Sequence, residues 1–233
     1  MSLESYVTGL MKEPAPKGMD RLVLSGLSKL EKMYFSQVEK KRTADMATAV
    51  SAHVPVISVG NITAGGTGKT PCILMLAELF FSIGKKPAII SRGYKSGLEK
   101  EGGCVSDGSS ILVSQQMAGD EPYMMARKLP SVPIFIGKDR IASVRRAEEM
   151  GVGILLLDDG FQYWKLRRDQ DIILIDATNP FGYGHGLPRG LLREPLDALS
   201  RASLFILTKS DQVHLTDLME IREELARLAP GVP

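Results

Sequence analysis

The chain has 233 residues, 44% apolar and 24% charged, with a formal net charge of +2. These values fit one large soluble domain, or a domain with a small appendage, and they name no nucleic-acid partner. Its two cysteines, Cys72 and Cys104, form neither a disulfide framework nor a metal-binding spacing and point to a reducing compartment. No stretch reaches the length of a membrane span. The start, MSLESYVTGLMKEP, lacks the basic and apolar regions of a secretory signal, so a cytoplasmic location is expected.

Residues 1–50 form a first segment, with a break at Pro14 and Pro16. From Asp20, helical spacing of Leu22, Leu27, Leu30, Tyr34 and Val38 predicts an amphipathic helix, with Lys29, Lys32, Lys40 and Lys41 on or near its polar side. Such a helix either packs on a domain with a solvated basic face or lies on an anionic bilayer. Residues 51–233 read as the core. A strand is expected over 54–59, a helix from Gly68 to about Ser82 stopped by Gly84, and a strand ending near Ser91. CVSDGSSILVS predicts a hairpin about Asp107-Gly108. Then follow a helix over 121–129, a strand in VPIFIG and a helix over 139–150. Strands in VGILLLD, DIILID and LFILTK precede a last helix over 216–228. Apolar strands alternating with helices indicate an α/β fold with a mainly parallel sheet covered on both faces. Ligands of such sheets gather at the carboxyl ends of strands.

VGNITAGGTGKTP, residues 59–71, joins the first core strand to its helix. A glycine-rich turn running into a helix N-terminus presents backbone N–H groups to phosphate oxygens. Thr63, Ala64, Gly65, Gly66, Thr67 and Gly68 would form this clamp. Lys69 would reach the β- and γ-phosphates, and the Thr70 hydroxyl would ligate Mg²⁺. The strict phosphate-loop pattern wants glycine where Thr63 stands. The Gly65-Gly66 pair is expected to supply the flexibility instead. In GILLLDDGFQ, Asp158 and Asp159 end an apolar strand, where adjacent carboxylates call for a cation; the same residues would also make an ordinary turn. In AGDEP, Asp120 suits either an N-cap or a group that orients an attacking hydroxyl, and Glu121 a further Mg²⁺-linked carboxylate. Arg92, Arg140, Arg189 and Arg193 follow strands or lie in glycine-rich loops. One or two of them are expected on phosphate. His53, His185 and His214 lack ligand spacing. FILTKSD raises a rival: T-K-x-D after a strand reads guanine in GTPases, although the position three before Gly160 is Leu157, where D-x-x-G would need aspartate.

VPVISVGNITAGGTGKTP, IISRGY, GDEP, IGKDR, LLLDDGFQYWKLRRDQDIILID and FGYGHGLPRGLLREPLDALSRAS, in this order, resemble the lipid A 4′-kinases over about residues 50–210. The resemblance implies a P-loop NTPase-like kinase, peripheral at the cytoplasmic face of the inner membrane. It would transfer the γ-phosphate of ATP, with Mg²⁺, to the 4′-hydroxyl of tetraacyldisaccharide 1-phosphate, a lipid substrate, giving lipid IV-A. It also implies that Asp120 assists catalysis and that Glu121, Asp158 and Asp159 surround Mg²⁺ and nucleotide. Gln162, Arg140 and Arg193 would line the site, and the N-terminal helix would face the membrane. Three departures stand out. Tyr163 replaces the family's usual histidine, Arg189 and Leu191 alter the LPAGPLREP block, and the family's C-terminal lobe, with a histidine partnering the aspartate, is absent from this sequence.

Overall fold

The computed structural model describes residues 3–12 and 17–233. In chain order the elements are α1 (Leu3–Lys12), α2 (Met19–Ala47), β1 (Val56–Gly60), α3 (Lys69–Ser82), β2 (Pro87–Ser91), β3 (Gly103–Asp107), α4 (Gln115–Ala118) and α5 (Asp120–Lys128). They continue with β4 (Pro133–Ile136), α6 (Arg140–Glu149), β5 (Ile154–Asp158), β6 (Gln170–Asp176), β7 (Leu204–Thr208) and α7 (Leu215–Leu228). The sheet order is β3-β4-β2-β5-β1-β6-β7. The chain divides into two compact units, one of Met1–Ala44, Asn61–Thr67 and Ile175–Pro233, the other of Asp45–Gly60 and Gly68–Leu174. The break expected at Pro14 and Pro16 lies outside the described residues.

In the second unit, β1 pairs in parallel with β5 and β6, and β2 with β4 and β5. These strands are apolar runs because both faces are covered. The steps from β1 to β2 and from β2 to β4 run one way along the sheet, and the step from β4 to β5 runs back. Right-handed crossovers therefore place α3 and α5 on one face and α6 on the other. On the α6 face, Val144 and Ala147 pack with Val56, Ala88, Ile90, Phe135, Leu155 and Leu157. The alternate residues Ile89, Ile134 and Leu156 are fully buried and point to the opposite face. Cys72 on α3 is core, as its apolar surroundings predict.

The expected hairpin about Asp107-Gly108 forms its turn and one short contact between its arms, the Leu112 N–H donating to the Val105 carbonyl at 2.9 Å. Asp107 Oδ1 accepts from the Ser109 and Ser110 N–H groups at 2.7 and 2.8 Å, and Gly108 has φ 84°. Its second arm contributes a lone bridge, Ser106 to Ile111. β3 pairs instead with β4, antiparallel. The open edge of a parallel sheet offers a longer ladder than the short, exposed 111–113 run, and covering it removes unpaired backbone groups.

In the first unit, the face that α2 turns inward differs from the expected one. Leu27, Tyr34 and Val38 are at least partly covered, but Leu22 and Leu30 point outward at 70% and 49% exposure. The inward stripe instead carries polar anchors. Glu31 Oε1 accepts from the Gly186 N–H at 2.6 Å, Ser28 Oγ from Arg189 Nη1 at 2.8 Å, and the Tyr34 hydroxyl donates to the Arg193 carbonyl at 3.1 Å. Phe35 fills the space beside Gly186, where an added Cβ would stand 2.2 Å from its ring. The helical period was legible; its docking face was not, because Glu31 and Ser28 look like surface residues until the loop they hold is in place.

Candidate active site

The helix that opens the site begins at Lys69. Its N-cap, Gly68, takes φ 84°, and Gly65 takes φ 120°, conformations open to glycine and hostile to L side chains. Gly66 has no positive φ, so the tight turning belongs to Gly65 and Gly68 rather than to the 65–66 pair. An added Cβ at Gly65 or Gly66 would meet no heavy atom within 4 Å, so the loop leaves open space on its glycine side. The amides of Gly65, Gly66 and Thr67 have no partner among the described residues. The Thr67 hydroxyl is buried, also without a partner. Donors in this state, beside two glycines that leave open space, suit a bound anion.

The start of the loop is held differently. The Ala64 N–H donates to the Leu191 carbonyl at 2.7 Å and the Arg193 N–H to the Ile62 carbonyl at 2.8 Å, while Thr63 bridges Leu192. The Ala64 amide is therefore spent on the fold and is not a phosphate donor. Asn61 Nδ2 donates to the Thr63 carbonyl at 2.6 Å, and Arg193 Nη1 to Asn61 Oδ1 at 3.4 Å. Thr63 thus acts as a buried strut at the position where the strict motif has glycine. The 186–193 segment anchored by α2 is the same one that braces the loop.

In the second unit, β5 lies beside β1 with Asp158 opposite Val59, so the end of β5 that carries the carboxylates lies beside the end of the strand that leads into the loop. Asp158 is 6% exposed and accepts from Ser91 Oγ at 2.9 Å. Burial raises its pKa above the ordinary carboxylate value, Asp159 and Glu121 add to the rise, and Ser91 and Arg140 oppose it. Asp159 adopts φ 49° and stands 3.4 Å from Lys69 Nζ. Arg140, 5% exposed, donates from Nη1 to the Asp159 carbonyl at 2.9 Å. Its guanidinium lies 5.0 Å from the Tyr163 ring centroid, and its backbone N–H donates to the Tyr163 hydroxyl at 3.1 Å. Burial lowers the pKa of Arg140, and Asp159 and Asp158 offset only part of that fall. Tyr163 is therefore a cradle for the arginine that sets the Asp159 backbone.

Asp120 is not an N-cap. Gly119 takes that place at φ 85°, and Asp120 is the first helical residue, its Oδ1 accepting from Gln115 Nε2 at 2.8 Å. Of the remaining arginines, Arg92 pairs with Glu99 at 2.7 Å and Arg189 reaches Ser28. Ser91 and Gln115 were not singled out by the sequence, and Tyr163 stood out only as a departure from the family's histidine, not as a partner of Arg140. Only Ser91, polar at a strand's carboxyl end, left a signal that could have found it.

The tetraacyldisaccharide-1-P 4′-kinase (LpxK) family model matches residues 21–230. The chain belongs to this family. A tetraacyldisaccharide 4′-kinase of Halothermothrix orenii is 43% identical over 97% of this chain and 60% of its own length. One from Desulfatibacillum aliphaticivorans is 51% identical over 67% of this chain and 43% of its own. The chain thus spans about half the length of the curated relatives it matches. The solved LpxK of Aquifex aeolicus in complex with ATP is 37% identical, with a TM-score of 0.73 over 81% of this chain and 60% of that one. The tetraacyldisaccharide 4′-kinase family therefore accounts for the P-loop NTPase-like α/β fold.

Alanine at Gly65 separates the loop's two demands. The space beside it has room for a methyl group, but φ 120° does not suit one, a strain of about 1–3 kcal/mol. Gly65→Ala should lower ATP affinity by about tenfold as the loop relaxes away from its donor geometry, which calorimetric titration would measure. Unaltered affinity would show that these amides do not meet phosphate.

Proposed function

We propose that this chain carries the nucleotide-binding and phosphoryl-transfer centre of an ATP-dependent kinase acting on the 4′-hydroxyl of tetraacyldisaccharide 1-phosphate. The observation that carries the reading is the buried Asp158 beside Asp159 and Lys69 at the end of β5, next to the strand that enters GGTGKT. The amides of Gly65, Gly66 and Thr67 receive the ATP phosphates. Lys69 neutralises the β- and γ-phosphates, and Arg140 fixes Asp159. Gln162 and Arg193 are assigned to the nucleotide side. Among the described residues no three acidic, histidine or cysteine side chains group closely enough to hold a metal by themselves, but a desolvated Asp158 whose neighbours are acidic is relieved by a cation, and the phosphates of ATP would supply the remaining oxygens around a magnesium ion. Thr70, Asp158, Asp159 and Glu121 would hold it, and when bound Mg²⁺ neutralises charge on the transferring group. Asp120, oriented by Gln115, takes the proton of the 4′-hydroxyl as that oxygen bonds to the γ-phosphorus. The bond from γ-phosphorus to the bridging oxygen breaks, and ADP leaves.

The acceptor's acyl chains place the reaction at a membrane surface. No helix of the described residues is long and apolar enough to cross one. The outward side of α2 carries Met19, Leu22, Leu30 and Met33, 49–72% exposed, at helical spacing beside the exposed Lys29 and Lys32. This strip suits peripheral insertion at an anionic leaflet, here assigned to the cytoplasmic face of the inner membrane. Labelled ATP with tetraacyldisaccharide 1-phosphate in mixed micelles tests the whole reading, with label on the 4′-oxygen as the expected product. A marked preference for GTP that is lost in Asp211→Ala would overturn it in favour of guanine recognition by TKSD. In that segment Thr208 Oγ1 donates to the Thr67 carbonyl at 3.1 Å and Lys209 pairs with Asp176.

A further inference from the structure

A cavity of about 390 Å³ is lined by Gln115, Asp120, Tyr123, Met124, Arg127 and Lys128. Five of these residues stand at i, i+3, i+4, i+7 and i+8 of α5, so they occupy one helix face. That face changes chemistry along its length. At its start is Asp120, a carboxylate held by Gln115. An aromatic ring and a thioether follow, both partly exposed. At its end are two exposed cations, and neither Arg127 nor Lys128 has a hydrogen-bond or ion-pair partner among the described residues. Basic side chains in a last turn complement the helix dipole, which would account for cations there. It does not account for their sharing a cavity with the carboxylate assigned to the acceptor hydroxyl.

Resting on the reading above, we propose that this face of α5 binds the acceptor lengthwise, with its anionic 1-phosphate held by Arg127 and Lys128. Arg127 stands seven positions along the helix from Asp120, a rise of about 10 Å. That span is of the order of two linked sugar rings. An acceptor laid along it puts its 4′-hydroxyl at Asp120, the apolar face of a sugar on Tyr123 and Met124, and its far phosphate on the cations. Arginine's fork and lysine's point charge both suit a phosphate monoester. The face would thereby measure the acceptor: a reacting hydroxyl at one end is accepted when an anion fills the other.

The test measures binding and turnover separately, on the full chain in detergent micelles. Binding is titrated for the disaccharide 1-phosphate, its 1-dephospho form and ATP. The double variant Arg127→Gln/Lys128→Gln should bind the 1-phosphate form about tenfold more weakly, with the dephospho form and ATP unchanged. Arg127→Lys/Lys128→Arg should keep most of the discrimination. Equal losses for both disaccharides, a loss for ATP, or no loss would each overturn the proposal. Turnover by the unmodified chain reports on the kinase reading itself. Absent transfer with intact 1-phosphate discrimination would sink that reading and leave the α5 site standing.

Discussion

Lys69→Met should reduce ATP-dependent phosphoryl transfer by about 10³-fold, with much smaller losses in thermal stability. Lys69 opens α3 directly after the left-handed Gly68, and its ammonium lies 3.4 Å from Asp159 Oδ1, with side-chain exposures of 18% and 33%. A partly exposed pair of this kind contributes little to folding, about 0–1 kcal/mol. A cation aimed at charge that develops on the γ-phosphate is worth far more, about 3–4 kcal/mol at the transition state. Methionine keeps the length and apolar stem of the side chain while removing the charge. The two quantities should therefore separate: kcat collapses, and the melting temperature moves by a few degrees at most. Turnover within tenfold of the unmodified chain would remove Lys69 from the catalytic group.

Asp158→Asn should do the opposite to stability while also abolishing activity. Burial raises the pKa of Asp158 in the folded chain, helped by Asp159 and Glu121, so the folded state takes up a proton more readily than the unfolded state. That contribution to stability is fully present below the unfolded carboxylate pKa and is lost as pH rises through the raised folded value. At neutral pH the metal-free chain therefore carries the cost of a buried anion. Asparagine removes the charge and can still accept from Ser91 Oγ. A gain of about 1 kcal/mol would raise Tm by about 2–4 °C in a chain of this size. The gain should shrink as pH is lowered, because protonated aspartate already has it. Mg²⁺ with ATP should raise Tm in the unmodified chain and much less in the variant. A variant that melts lower at pH 7, yet keeps the Mg²⁺-dependent rise, would show that Asp158 is structural and not a cation ligand.

By itself the sequence determined the parts of this protein whose information is local. Apolar runs gave every strand of the parallel sheet, because a doubly covered sheet writes itself as unbroken hydrophobic segments. Glycine spacing ahead of Lys69 announced the phosphate loop, because positive φ at a tight turn restricts residue choice. The run ending in Asp158-Asp159 announced the acidic strand end. What the tertiary structure alone decided are pairings between residues far apart in the chain. Ser91 meets Asp158 only because β2 and β5 are neighbours in the sheet order. Tyr163 meets Arg140, and Arg140 meets the Asp159 carbonyl, because α6 begins at the same carboxyl edge of the sheet where β5 ends. Glu31 and Ser28 hold a loop more than 150 residues away, so the helical period of α2 could announce a helix without saying which face would dock. Periodicity reports which residues share a face. The partner of that face is set by strand order and crossover handedness, which no local pattern encodes.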